Sequence, residues 1–204
     1  MDRICHEECD AQKLVGKFPA QLHDRNKEIV FELSSPPGAI HSGTVSFSRS
    51  RQLPRPKSVT RSETHPRFEL REDYFTYGES PYGHIDWHLN FAHYDLFCAY
   101  GGPLFAQVEM QVAEHPALAS LRHALVGAGI EPLTVRDDIA TPALIMGVER
   151  RCRVSTDANS DEEGPHGLYE NSFSSASEDA IRRAVEVFEP PTNNNILAME
   201  APMG

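Results

Sequence analysis

Hydrophobic and polar residues alternate strictly through HIDWHLNF, residues 84–91, where Ile85, Trp87, Leu89 and Phe91 interleave with His84, Asp86, His88 and Asn90. A period of two is that of a half-buried strand, so the apolar set is expected in the core and the polar set on the other face. Upstream, residues 1–28 are polar and weakly periodic, with a short helix expected around Asp10 to Val15. EIVFEL, residues 28–33, reads as a short strand stopped by the breakers SSPPG. Downstream, AHYDLFCAYGGP reads as a loop, and Pro103 suits the first turn of a helix capped around Gly102. That helix is expected to run to about Val126 and to break near His115-Pro116, because proline disfavours helical geometry in the residue before it. PALIMGV (142–148) and NILAMEAP (195–202) read as buried strands, and STDANSDEEGPHG between them as a surface loop. SASEDAIRRAVEVF (175–188) reads as a helix, with Ser175 and Glu178 at capping-box spacing and Ile181, Val185 and Phe188 on one face.

Strands alternating with helices favour an α/β domain with a mixed sheet covered on both faces. A chain of 204 residues suits one well-cored domain, with residues 1–80 expected as an N-terminal arm of few regular elements and 81–204 as the core. No apolar run approaches the roughly 18 to 20 residues of a membrane helix, and MDRICHEECD is too charged for a secretory signal, so a cytoplasmic protein is expected. In that compartment the four cysteines are expected as reduced thiols.

The formal charge of −11 argues against general nucleic-acid binding, which needs a broad basic surface to neutralise phosphates. A small anionic ligand is still permitted, because a helix N-terminus and a few backbone N–H groups can hold a diphosphate locally. Between Ser46 and Ser62, Arg49, Arg51, Arg55, Lys57 and Arg61 occur with no acidic residue. The segment reads as a solvated Pro/Ser-rich loop or, alternatively, as a basic flap that attracts a polyanion.

Glu109 poses the sharpest question of chemistry. On a helix its neighbours three and four residues away are Phe105, Ala106, Val112 and Ala113, all apolar. Desolvation there would raise the carboxyl pKa toward proton donation, while a nearby helix N-terminus would lower it. The plainer alternative is a glutamate that reaches solvent at the edge of the apolar stripe.

The run LNFAHYDLFCAYGGPLFAQVEMQVAEHPAL, residues 89–118, resembles the signature segment of the poly(ADP-ribose) glycohydrolase family, a branch of the macrodomain fold. In that family a strand ends in a Phe-Ala-Asn type sequence and a glycine-rich diphosphate loop follows. Gln-Glu-Glu then opens a helix that runs on to an Asn-Pro-Glu-Leu type sequence. Here NFAH precedes QVEM, with Gln107 fourteen residues after His93, and Pro116 and Leu118 fall where the family has proline and leucine. The resemblance implies a three-layer α/β/α macrodomain-like fold with a mixed sheet. It also implies hydrolysis of the ribose–ribose O-glycosidic bond of poly(ADP-ribose) or a related conjugate, with no cofactor. By residue, it implies that Glu109 is the proton donor to the leaving oxygen, an acid that contributes roughly 10² to 10⁴ in rate. It places Gln107, Asn90 and His93 against the ligand, and Gly101 and Gly102 at the phosphates.

The departures are specific. Val108 replaces the first glutamate of the pair, Phe97, Cys98 and Ala99 stand near the expected triple glycine, and His93 replaces an asparagine. The family's later helix, strands and second glycine-rich loop are missing after Gly204, so the core is expected to be incomplete at the C-terminus and covered by a protein partner. Three other readings stay open. His84, Asp86 and His88 on one strand face could ligate zinc or iron in a metal hydrolase, with Cys5, His6 and Cys9 as a weaker cluster. Cys98 could be a nucleophile, although the sequence assigns it no partner. The chain could also bind ADP-ribose without cleaving it, or be a remnant that does neither.

Overall fold

The computed structural model describes residues 3–51, 56–58, 60, 70, 77, 83–156 and 167–200. Five strands form one mixed sheet in the order β1-β2-β6-β7-β3. They are β1 (Arg3–Asp10), β2 (Thr44–Ser50), β3 (His88–Phe91), β6 (Ala143–Val154) and β7 (Val185–Met199). Neighbouring strands are antiparallel except β3, which runs parallel to β7 with His88 opposite Ile196 and Phe91 opposite Met199. The short strands β4 (Val135–Arg136) and β5 (Ile139–Ala140) form a separate hairpin whose turn residues, Asp137 and Asp138, both have positive φ. That is the backbone a two-residue hairpin turn with matching twist requires.

Helix α1 (Ala11–Lys17) begins at Asp10, whose side chain accepts the Lys13 N–H at 2.9 Å. Asp24 caps α2 (Arg25–Ser34) in the same way at 3.0 Å, and this is where EIVFEL proves helical rather than extended. Short apolar runs fit either period. The decision comes from the cap, from Arg25 paired with Glu28 and Glu32 on the solvent side, and from Ile29 and Val30, both buried on the inner face. The segment expected as an arm of few elements therefore contributes two strands and two helices.

The long helix expected from Pro103 starts instead at Gln107. It is split into α3 (Gln107–Glu114) and α4 (Ala117–Gly127) at His115-Pro116, the expected break. Near the C-terminus α5 (Asn171–Ser175) is followed by α6 (Glu178–Ala184). Ser177 rather than Ser175 caps α6, with Ala180 N–H 3.2 Å from its Oγ. Ile181 is buried, but Val185 and Phe188 leave the helix and join β7, because pairing with β6 from Val154 onward outweighs the helical period. Ser46 to Ser50, expected as loop, belong to β2: Phe47 is fully buried, and Arg49 turns inward to donate to Glu131 O and Leu133 O. Arg55 and Arg61 lie outside the described residues, as does most of the acidic loop after Thr156.

One apolar cluster joins α1, α3 and α4 to Val45, Phe47, Ala143, Ile145, Ile196 and Ala198. A second joins α2, α5 and α6 to Cys152 and Val154. These sheet residues share one face. The opposite parity carries Leu89, Phe91 and Met146, all partly exposed, so among the described residues the helices cover one face and the expected three layers are two. The alternation in β3 is also inverted. Asn90 is fully buried and Phe91 is 57 % exposed, because the strand lies at the sheet edge with its polar side toward α3. No described helix is long and apolar enough to cross a membrane.

Gly147 makes the bend in β6. The pairing register with β7 shifts between Ile145 and Val148, Gly147 has φ of +73°, and a Cβ there would sit 2.4 Å from Thr44 O. Gly147→Ala should lower unfolding free energy by about 2 kcal/mol or more, from positive-φ strain plus the clash. Chemical denaturation checks this, and an unchanged midpoint would mean that β6 relaxes at no cost.

Candidate functional site

Gln107 opens α3 and places its amide against the free edge of β3. Phe91 N–H donates to Gln107 Oε1 at 3.0 Å, and Gln107 Nε2 donates to Leu89 O at 2.9 Å. The side chain thus supplies one rung of the ladder that a neighbouring strand would supply, and it satisfies edge groups that would otherwise need water or another chain. Two residues on, Glu109 is 5 % exposed and its Oε2 accepts the Ala106 N–H at 3.2 Å. This is the back-reaching half of a capping box, and alanine at the N-cap supplies no other half. Lys27, fully buried under the same helix start, donates to Tyr100 O at 2.7 Å, and its charge is coupled to that of Glu109. Burial pulls the Lys27 ammonium down to about 8.

The remaining residues named from the resemblance each make contacts of their own. Asn90 lies under α3, donating to Gln111 Oε1 at 2.6 Å, and its own Oδ1 has no partner among the described residues. His93 is exposed, its Nδ1 accepting the Asp95 N–H at 3.2 Å. Gly101 accepts the His23 N–H, and a Cβ on it would lie 2.3 Å from Gln21 O, so its open side is filled by the chain's own 21–23 segment. Gly102 N–H is used by Ala99 O at 3.0 Å. Glu109, Gln107 and Asn90 come together around α3, and His93 lies against Cys98, whose thiol feels the charge of Glu109.

A buried polar layer that sequence reasoning missed continues along α3. Gln111 donates to Tyr77 OH at 3.1 Å, and the Tyr77 ring meets His88 and His115 edge-on, with centroids 4.4 and 5.3 Å away. His115 Nδ1 bonds Gln111 O at 2.8 Å, and its Nε2 lies 3.1 Å from Asn194 Oδ1. Arg150 stacks over Tyr77 at 4.2 Å and pairs with Glu114 at 2.8 Å, while Glu114 Oε1 accepts the Val154 N–H at 2.9 Å. Burial pushes the Glu114 carboxyl up to about 7 against the pull of Arg150, and drives the His115 imidazole down to about 4. The only sequence signal was negative: glutamine, glutamate and histidine at successive turns of a helix with an otherwise apolar face.

Among the described residues no group of three histidine, cysteine or acidic side chains could hold a metal ion, and β3 begins only at His88, beyond His84 and Asp86. Cys98 Sγ does find a partner in His93 Nδ1 at 3.6 Å, but burial and nearby Asp95 push its thiol up, opposite to what a nucleophile needs. An open cleft of about 500 Å³ lies across the sheet, lined by Ile4, Arg51, Arg136, Asp137, Ile139 and Thr141. The β4–β5 hairpin brings Arg136 there, and the buried Thr141 hydroxyl has no partner among the described residues.

No protein family, curated protein or solved structure matches this chain. The resemblance to the glycohydrolases rests on residues 89–118.

Gln107→Ala should cost about 0.5–1.5 kcal/mol by giving two exposed β3 edge groups back to water, and should speed amide exchange at Phe91. Exchange no faster than in the wild type would remove the clamp. For pH, the sign follows from each direction. Glu114, raised from 4.5 to about 7, stabilises fully below pH 4.5, and that contribution is lost as pH rises through 7. His115, lowered from 6.5 to about 4, contributes fully above pH 6.5, and that is lost as pH falls through 4. The two oppose each other between 4.5 and 6.5. Glu114→Gln should leave stability rising over that window and His115→Gln should leave it falling, as read from urea midpoints.

Proposed function

We propose that the chain is a macrodomain-like module that binds a phosphate-bearing anion of the ADP-ribose type without cleaving it. The cleft between Arg51 and Arg136 carries this reading, because it combines planar cationic donors with the apolar walls of Ile4 and Ile139. Its size, about 500 Å³, lies within the roughly 300–1,000 Å³ of small-molecule pockets. Asp137, 4.0 Å from Arg136 Nε and exposed, is the counter-charge that an anion would displace. The attraction is local, since the chain as a whole carries −11.

The macrodomain likeness is supported by element order. A strand parallel to its neighbour is followed by a loop and then a helix opening on Gln107 and Glu109, as the resemblance implies. The absence of cleavage is supported by what those two residues do: Gln107 is spent on the edge of β3, and Glu109 on the Ala106 N–H below the surface. A general acid must come within hydrogen-bond reach of the oxygen it protonates.

Calorimetric titration with ADP-ribose at low ionic strength should give saturable binding, weakened about tenfold or more by Arg136→Ala, a loss of about 1.4 kcal/mol. Glu109→Gln should leave affinity unchanged, and poly(ADP-ribose) should remain intact in all three proteins. Turnover by the wild type that Glu109→Gln abolishes would restore the glycohydrolase reading, and no binding by any of them would remove both.

A further inference from the structure

The loop that follows α2 carries a different constellation, separate from the arginine cleft. Ser35, the half-buried C-cap of α2, has its Oγ 2.8 Å from His41 Nε2. On the other side of the ring, His41 Nδ1 lies 3.5 Å from Glu149 Oε2 and has no hydrogen-bond partner among the described residues. The imidazole is enclosed, with 2 % of its side chain exposed. Glu149 is fixed by the Ser42 N–H at 3.0 Å, by Ser42 Oγ at 2.6 Å and by Arg151 at 2.7 Å. Arg151 also donates to Ser34 O and Ile40 O, and Gln12 Oε1 accepts the His41 N–H, so both ends of the loop are tied down. Outside this frame Pro36, Pro37 and Ile40 are exposed beside Ser35, Ile40 at 77 %.

Hydroxyl, imidazole and carboxylate in series is the arrangement that activates a serine oxygen: the base takes its proton, and the acid orients the base and stabilises its charged form. Hydrogen bonds of such sets are often long before a substrate binds. Burial and Arg151 lower the His41 pKa, which keeps it neutral and able to accept a proton at pH 7. The bonds from Ser42 and Arg151 outweigh burial and hold the Glu149 carboxyl low.

We propose that Ser35 is a nucleophile for acyl transfer, with His41 as its base and Glu149 as the positioning residue, acting on small esters whose apolar part rests on Pro36, Pro37 and Ile40. Ser35 Oγ attacks the acyl carbon while its proton passes to His41 Nε2. The bond to the leaving oxygen breaks, and that oxygen takes the proton from His41. Water then attacks the acyl-serine, gives a proton to His41, and Ser35 Oγ departs and recovers it.

Incubation of the full chain with a fluorophosphonate probe, read by intact and peptide mass, should show one adduct on Ser35. Hydrolysis of p-nitrophenyl butyrate should accompany it. Ser35→Ala, a small change at a half-exposed site, should abolish both while leaving the thermal melt in place. His41→Ala should slow labelling about 100-fold or more. Glu149→Gln should retain labelling but move its pH profile, which a merely structural carboxylate would not do. No adduct on the wild type, or an adduct that persists in Ser35→Ala, overturns the proposal. Neither result depends on nucleotide binding at the arginine cleft.

Discussion

Helix α3 is buried along almost its whole length, and each polar side chain it carries must find a partner inside the protein. An unpaired buried group costs on the order of 1–3 kcal/mol and an unpaired charge more, so these partners are constraints on the rest of the structure. Gln107 bonds the edge of β3, Gln111 bonds Asn90 within β3, Glu114 bonds Arg150 and Val154 of β6, and His115 bonds Asn194 of β7. One helix is thereby tied to three strands, and the polar contacts agree with the pairing of β7 to β6 and β3. The carboxylate set among apolar neighbours at Glu109 belongs to the same rule: it closes the first turn of the helix that everything else leans on.

That arrangement has a consequence for chemistry. Gln107 and Glu109, which the resemblance would turn toward a sugar, bond the backbone of β3 and the Ala106 N–H. The cleft draws on Ile4, Arg51 and Thr141, and the loop between α2 and β2 brings Ser35 and the enclosed His41 to Glu149.

Several features of the fold were legible in the chain. The short helix expected around Asp10 to Val15 is α1, His115-Pro116 marked the break between α3 and α4, and the apolar runs at 142–148 and 195–202 marked the two longest strands. Where the reading failed, two local patterns competed and long-range pairing chose between them. EIVFEL fits a strand or a helix face until Asp24 caps it, and Val185 to Phe188 fit a helix until β6 offers them partners. In HIDWHLNF the period was read rightly for β3 but the faces were reversed, because at an edge strand the polar side can be the buried one when a helix supplies its hydrogen bonds.

The sequence by itself determined an α/β chain, the short helix near Asp10, the proline break at His115-Pro116 and the apolar runs of the two longest strands, since all of these depend on neighbours a few residues away. Only the tertiary structure decided that Gln107 bonds the edge of β3 and Glu109 the Ala106 N–H, that Tyr77 and Arg150 meet across a buried layer, and that Ser35, His41 and Glu149 come together. The physical reason is separation along the chain. Glu149 is 108 residues from His41, and Arg150 is 36 from Glu114, so nothing in local propensity or period brings them together; that is settled where the strands lie.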